Sequence, residues 1–211
     1  MSDVILYDYW RSSAAYRVRI ALNLKEISYR SVPVDLLAGE QGEAANLSRN
    51  PQGLVPTLEI DGLVLTQSAP IVEYLDETRP EPGLLPESAA SRQRVRAIAA
   101  AIANEIHAVC NLSVARHAAG ASGEAMERWM RHFIPKGLTA VEAMVVKGRT
   151  GGFVHGDAPG LGDVCLAPQL YNARRWGVDL APYPTLREID ARCAALDAFQ
   201  AAHPDMARAA A

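Results

Sequence analysis

The stretch from Trp10 to Leu22 constrains this chain more than any other. Val4, Ile5, Leu6 and Tyr7 form a short apolar run, the pair Ser12-Ser13 follows, and Val18, Ala21 and Leu22 then recur at helical spacing. The order is strand, turn, helix. Either serine suits a helix cap. The first N–H groups of a helix lack intrahelical partners, and the aligned peptide dipoles favour negative charge there. A junction with two hydroxyls, opening a helix that carries Arg17 and Arg19, is built to hold an anion or a thiolate. No cysteine lies between Ser13 and Tyr16, so a Cys-x-x-Cys redox site is not supported and any sulfur handled here must come from a ligand.

Beyond this helix, 29–34 is predicted as a second strand, with Pro33 placing it at a sheet edge because proline cannot donate to the ladder. Two parallel strands joined through a helix make a βαβ unit. A polar, glycine-containing segment covers 38–49. Asp61-Gly62 is a hairpin signal that makes 57–65 an antiparallel pair. Gln67-Ser68 starts a helix through Ile71, Val72, Tyr74 and Leu75, which ends before the linker Arg79-Pro80-Glu81-Pro82-Gly83. Past Pro86 the only strand signal is Phe153-Val154, and 89–117, 123–147, 162–176 and 185–200 are predicted as helices. The chain is thus expected to be α/β plus all-α, with one domain over 1–82 and a helical one over 88–211. The alanine-rich end, 207–211, is expected to fray.

Composition narrows the function. Of 211 residues, 21 are Lys or Arg and 24 are Asp or Glu, a formal net charge of −3 that gives no general attraction to nucleic acid or anionic lipid. A small-molecule site is the better expectation. Three cysteines, Cys110, Cys165 and Cys193, are too few and too scattered for a disulfide framework or a zinc knuckle, which fits a reducing compartment. The sequence shows no charged leader with an apolar stretch behind it and no run of about eighteen apolar residues. A cytoplasmic location off the membrane is expected.

The segment Arg11-Ser12-Ser13-Ala14-Ala15-Tyr16-Arg17-Val18-Arg19-Ile20-Ala21-Leu22 resembles the zeta signature of the cytosolic glutathione transferases, usually S-S-C-x-[WH]-R-V-R-I-A-L. Further similarities are Asn50-Pro51, Val55-Pro56-Thr57-Leu58, Gln67-Ser68, Glu73-Tyr74-Leu75, Asn111-Leu112-Ser113-Val114 and 178–184, together spanning nearly the whole chain. The resemblance implies a thioredoxin-like βαβαββα domain that binds glutathione, a helical domain contributing the substrate pocket, and a homodimer.

By the same resemblance Ser12 hydrogen-bonds the glutathione sulfur and lowers its pKa, with Ser13 completing the nest. The family cysteine is replaced by Ala14, so a mechanism needing a protein thiol there is not implied. Val55-Pro56 is implied to be cis, leaving the Val55 backbone for the cysteinyl part of glutathione. Gln67 and Ser68 match the clamp for the γ-glutamyl group, Gln41 falls near the glycyl end, and His107, Asn111 and Ser113 fall along one long helix near the site. Arg11 and Arg175 are placed to fork substrate carboxylates; for Arg17 and Arg19, ligand contact and bracing of the fold both stay open. Gly160-Leu161-Gly162-Asp163 occupies the family's capping box, with glycine in place of the hydroxyl residue. A modest loss of stability is expected, which Gly160→Ser would restore.

The implied reaction is glutathione-dependent cis–trans isomerisation of maleylacetoacetate to fumarylacetoacetate, in tyrosine and phenylalanine breakdown, by reversible thiolate addition and without a metal. Alternatives are maleylpyruvate isomerisation in the gentisate pathway, glutathione transfer to small α-haloacids, and a glutathione-binding protein without catalysis.

Overall fold

A computed structural model describes residues 4–120 and 122–209. They form two compact units, one of the described residues through 83 together with those from 195 onward, and one of the described residues between 84 and 194.

The first unit is built on a four-stranded sheet in the order β2-β1-β3-β4. Strand β1 (Ile5–Asp8) pairs in parallel with β2 (Arg30–Pro33) and antiparallel with β3 (Thr57–Ile60), which pairs antiparallel with β4 (Leu63–Thr66). Pro33 lies on an edge strand, as its missing N–H requires. Helix α1 (Ser13–Leu24) connects β1 to β2. It is buried without interruption from Ala15 to Leu22, because α3 (Ser68–Thr78) and the late helix α9 (Asp197–Ala201) both pack on it. Within the predicted polar segment lie a 3-10 turn at Glu40–Gly42 and the single-turn helix α2 (Ala44–Leu47). The Lys25 side chain is fully buried, and its Nζ donates to Asp76 Oδ1 at 2.9 Å, to the Arg79 carbonyl at 2.6 Å and to the Pro82 carbonyl at 2.5 Å. That fastens the end of α3 and the linker to the end of α1.

The expected boundary at 88–211 is corrected by α9 and α10 (Pro204–Ala209), which group with the sheet. Arg19 Nε donates to the Ala202 carbonyl at 2.9 Å, and Asn23 Nδ2 donates to the Ala198 carbonyl at 3.0 Å. Phe199 and Ala202 are buried. Residues 207–209 are helical, while 210–211 lie outside the described residues.

The second unit is helical. Its centre is α7 (Leu161–Arg175), buried from Leu161 through Leu170 and packed against α4 (Ala89–Ala100) and α8 (Pro184–Ala194). Helix α6 (Gly123–Gly148) orders the start of α8, since the Glu142 carboxylate accepts the Thr185 and Leu186 N–H groups at 3.0 Å each. Orphan donors at a helix start are satisfied in this way. The predicted helix over 89–117 is not continuous. After Ala100 the chain widens into a π-helical segment, Ala101–His107, and a new helix α5 runs over Leu112–Ala119. Ile106 in that segment faces Gly137 of α6, where a Cβ would stand 2.3 Å from Ile106 Cγ1, so the close approach requires glycine. The helix predicted over 185–200 also breaks, between α8 and α9. Phe153-Val154 is not a strand. The Phe153 N–H turns back to the Gly156 carbonyl at 3.0 Å and the Val154 N–H to Asp163 Oδ1 at 2.9 Å. Among the described residues, no single helix is long and apolar enough to cross a membrane.

Candidate active site

The turn between β1 and α1 closes on itself where the Ser12 N–H donates to the Tyr9 carbonyl at 2.8 Å. Ser12 is the N-cap of α1, and its Oγ accepts the Ala15 N–H at 3.2 Å. Accepting that bond leaves the hydroxyl hydrogen available for donation. No acidic residue stands in the first turn of α1, so the positive end of the helix dipole is not neutralised by a side chain of that turn. Ser13 is buried, while Arg11 and Ser12 are half-buried. The Arg11 guanidinium lies over the Trp10 ring at 5.1 Å from its centroid, a stacking that limits its rotamers.

Beneath the turn, Tyr7, Tyr9, Val34 and Val55 form an apolar cluster, with Trp10 and Leu36 packed at its margin. The Val55-Pro56 peptide is cis. Val55 lies just ahead of the first ladder pair of β3, Tyr7 with Thr57.

At the start of α3, Gln67 has φ +68° and makes no side-chain cap. Positive φ costs a residue with a Cβ about 1–3 kcal/mol and persists where surrounding contacts hold it. Here Gln67 Nε2 donates to Gln52 Oε1 at 2.8 Å. Buried Ser68 accepts from Arg17 Nη1 through its Oγ at 3.2 Å. The Gln41 carbonyl accepts from Asn46 Nδ2 at 2.9 Å, and the Gln41 Oε1 is buried without a hydrogen-bond partner among the described residues. A Cβ on Gly53 would stand 3.3 Å from that same carbonyl. The 3-10 turn with Gln41, the 50–53 turn with Gln52, and the Gln67-Ser68 corner are thereby joined.

Both helix arginines of the signature brace the fold. Arg17 holds Ser68, and Arg19 Nη1 grips both oxygens of Asp8 at 2.8 and 2.6 Å. The buried Asp8–Arg19 pair and the partner Gln52 carried no local sequence signal, because each depends on a contact between separate elements.

In the helical unit, His107 ends the π-helical segment and is half-buried. Asn111 and Ser113 do not share its helix. Asn111 caps α5, its Oδ1 accepting the Ser113 N–H at 3.0 Å and the Ser113 hydroxyl at 2.9 Å. Arg175, at the end of α7, lies over the Trp176 ring at 4.8 Å. The three cysteines are buried and form no disulfide. Burial pushes the Cys110 thiol up to about 11 and the Cys193 thiol higher still, so neither supplies a thiolate at neutral pH.

At the start of α7, Asp163 accepts the Gly160 N–H at 2.9 Å through Oδ2 and the Val154 N–H through Oδ1. Burial outweighs those bonds and pushes its carboxyl up to about 6. Gly160 is not an empty capping position, since a Cβ there would stand 2.6 Å from the Leu84 carbonyl oxygen. That carbonyl also accepts the Leu161 N–H at 2.8 Å. The close approach of the two backbones therefore opposes the gain expected from Gly160→Ser.

A thioredoxin-like sheet followed by a helical unit, with a serine-capped α1 and a cis peptide ahead of β3, defines a glutathione transferase architecture. The family model for the glutathione S-transferase N-terminal domain matches residues 2–77 and that for the C-terminal domain residues 123–205, and the chain belongs to the glutathione S-transferase family. It is similar over its length to zeta-class isomerases. Maleylacetoacetate isomerase of Rhizobium meliloti (strain 1021) is 60% identical over 210 residues, covering 98% of this chain and 99% of that protein. The holo structure of maleyl pyruvate isomerase, a bacterial zeta-class glutathione S-transferase, is 43% identical, with TM-score 0.91 over 96% of this chain and 97% of that one. Maleylacetoacetate isomerase from Anaeromyxobacter dehalogenans 2CP-1, with glutathione bound in its active site, is 50% identical, with TM-score 0.87 over 97% and 96%.

Proposed function

We propose that this chain is a glutathione-dependent cis–trans isomerase that converts maleylacetoacetate to fumarylacetoacetate. The observation that carries the reading is the start of α1, where the Ser12 hydroxyl caps the helix and no acidic residue occupies the first turn. Bound glutathione supplies a thiolate that adds reversibly to the conjugated cis double bond, allowing rotation before elimination. Ser12 donates its free hydroxyl hydrogen to the sulfur anion, and the α1 N-terminus adds its dipole. Ser13 completes that nest. Gln67 and Ser68 hold the γ-glutamyl group, the Val55 backbone pairs with the cysteinyl part, and Gln41 meets the glycyl end. The fit is supported by the strained φ of Gln67 and by the unpartnered Gln41 Oε1, which an amide N–H of a peptide ligand would satisfy.

Arg11 and Arg175 each recognise a substrate carboxylate, and planar guanidinium suits that task. Both lie over an indole ring. His107, Asn111 and Ser113 are assigned to the glutathione side of the site. The domain division by function follows the same reading, with the sheet unit binding glutathione and the helical unit contributing to the substrate pocket. A cytoplasmic location is supported by three buried cysteines that form no disulfide. A homodimer is supported by family membership and by Leu63 and Val64, exposed on the edge strand β4; sedimentation tests it.

Maleylpyruvate is the competing substrate, favoured by the 43% identity and TM-score of 0.91 to its isomerase. The test follows both maleyl compounds by absorbance with and without glutathione. Preferential turnover of maleylacetoacetate that needs glutathione supports the proposal. Preference for maleylpyruvate moves it to the gentisate pathway. Failure with both, while glutathione still binds, assigns the chain to haloacid processing or to binding alone.

A further inference from the structure

We infer that Arg19 is a positioning residue for the Ser12 turn and that the C-terminal segment takes part in the same arrangement. Arg19 is 2% exposed and touches three separate parts of the sheet unit. Nη1 holds both carboxylate oxygens of Asp8 at the end of β1, Nη2 donates to the Trp10 carbonyl at 2.9 Å, and Nε donates to the Ala202 carbonyl at 2.9 Å. The Trp10 carbonyl belongs to the turn that the Ser12 N–H closes on Tyr9. Its orientation is fixed from outside the turn by one planar guanidinium, whose fork no other side chain reproduces.

The C-terminal segment reaches the turn a second time. The Arg208 guanidinium of α10 lies over the Trp10 ring at 5.1 Å, and His203 meets the Tyr16 ring edge-on at 6.1 Å. An ion pair serving only to brace β1 against α1 would need Asp8 alone. Here the remaining donors join a carbonyl of the turn to a carbonyl 183 residues away from Arg19. Packing of residues 195–209 and placement of the Ser12 hydroxyl are thus coupled through Arg19 and Trp10.

The inference rests on the proposed role of Ser12, and the test separates the two. Ultraviolet difference spectra of glutathione bound to the full-length protein give the thiol pKa, and steady-state kinetics give kcat and the KM for glutathione. Wild-type protein that leaves the bound thiol at its solution pKa overturns the role of Ser12 itself. Given a lowered wild-type pKa, Arg19→Lys is expected to raise it by about one unit and to lower kcat roughly tenfold, with the KM for glutathione nearly unchanged. Lysine keeps a charge for Asp8 but has no fork for both carbonyls. Arg208→Ala, on the exposed side of α10, is expected to raise the thiol pKa by about half a unit and to lower kcat roughly threefold. A wild-type thiol pKa in Arg19→Lys overturns the inference. Should that variant not fold, a wild-type thiol pKa in Arg208→Ala does so.

Discussion

Helices α1 and α7 are each buried along most of their length, from Ala15 to Leu22 in the one and from Leu161 to Leu170 in the other, yet their N-termini are finished with different chemistry. At α7 a carboxylate of the same helix, Asp163, takes the N–H groups of Gly160 and Val154, so the positive end is answered internally. At α1 a neutral hydroxyl, Ser12, takes one N–H and no acid follows in the first turn. A buried helix that supplies its own anion is finished as structure. One capped by a hydroxyl alone keeps its dipole for an anion from outside. The difference explains why two similar junctions are assigned to different tasks.

The largest effect that would sharpen this contrast is on catalysis. Ser12→Ala is expected to lower kcat/KM for isomerisation roughly 100-fold, the loss usual for one donor to a developing or stabilised anion. Its cost in unfolding free energy is about 1 kcal/mol, that of a lost cap. Asp163→Ala should show the opposite pattern. It strands two N–H donors and costs about 2–4 kcal/mol in denaturant unfolding, while turnover per folded molecule stays at the wild-type level. Equal activity of Ser12→Ala and wild type would break the comparison at α1, and unchanged stability of Asp163→Ala would break it at α7.

A smaller test concerns the residue at the α7 cap itself. Gly160→Ser adds a hydroxyl cap but sets its Cβ 2.6 Å from the Leu84 carbonyl. Crowding against backbone costs about 1–3 kcal/mol and outweighs a cap worth about 1 kcal/mol, so thermal unfolding is expected at a lower temperature than wild type. A raised melting temperature would show that the Leu84 segment yields and that hydroxyl capping governs both helices.

Much of this was legible in the sequence because it is local. The Ser12 cap, the hairpin over β3 and β4, the edge position of Pro33 and the Gln67-Ser68 corner follow from turn chemistry and periodicity within a few residues. What was not legible depends on contacts between distant segments. The return of α9 and α10 to the sheet unit rests on bonds from Arg19 and Asn23 to carbonyls, and a carbonyl carries no residue-type signal. The break after Cys110 is set by Asn111 capping α5, although alanine-rich sequence on both sides favours one continuous helix. Gly160 has the same character, since its need for glycine comes from Leu84, 76 positions earlier.

A final expected effect is a pH dependence that probes the internal anion of α7. Burial raises the Asp163 carboxyl from 3.8 to about 6. Between those values the folded chain retains a proton that the unfolded chain has lost, so the stability due to this group is fully present below the lower value. It declines as pH rises through the upper one and is constant above. The loss runs at roughly 1 kcal/mol per pH unit in the middle of the window. Asp163→Asn does not titrate. The difference in unfolding free energy between wild type and this variant should therefore fall with rising pH from about 4 to about 6 and then level off. A difference that rises instead would mean that the two N–H bonds outweigh burial and hold the carboxyl below its ordinary range, so that the internal anion of α7 persists into acid as well as at neutral pH.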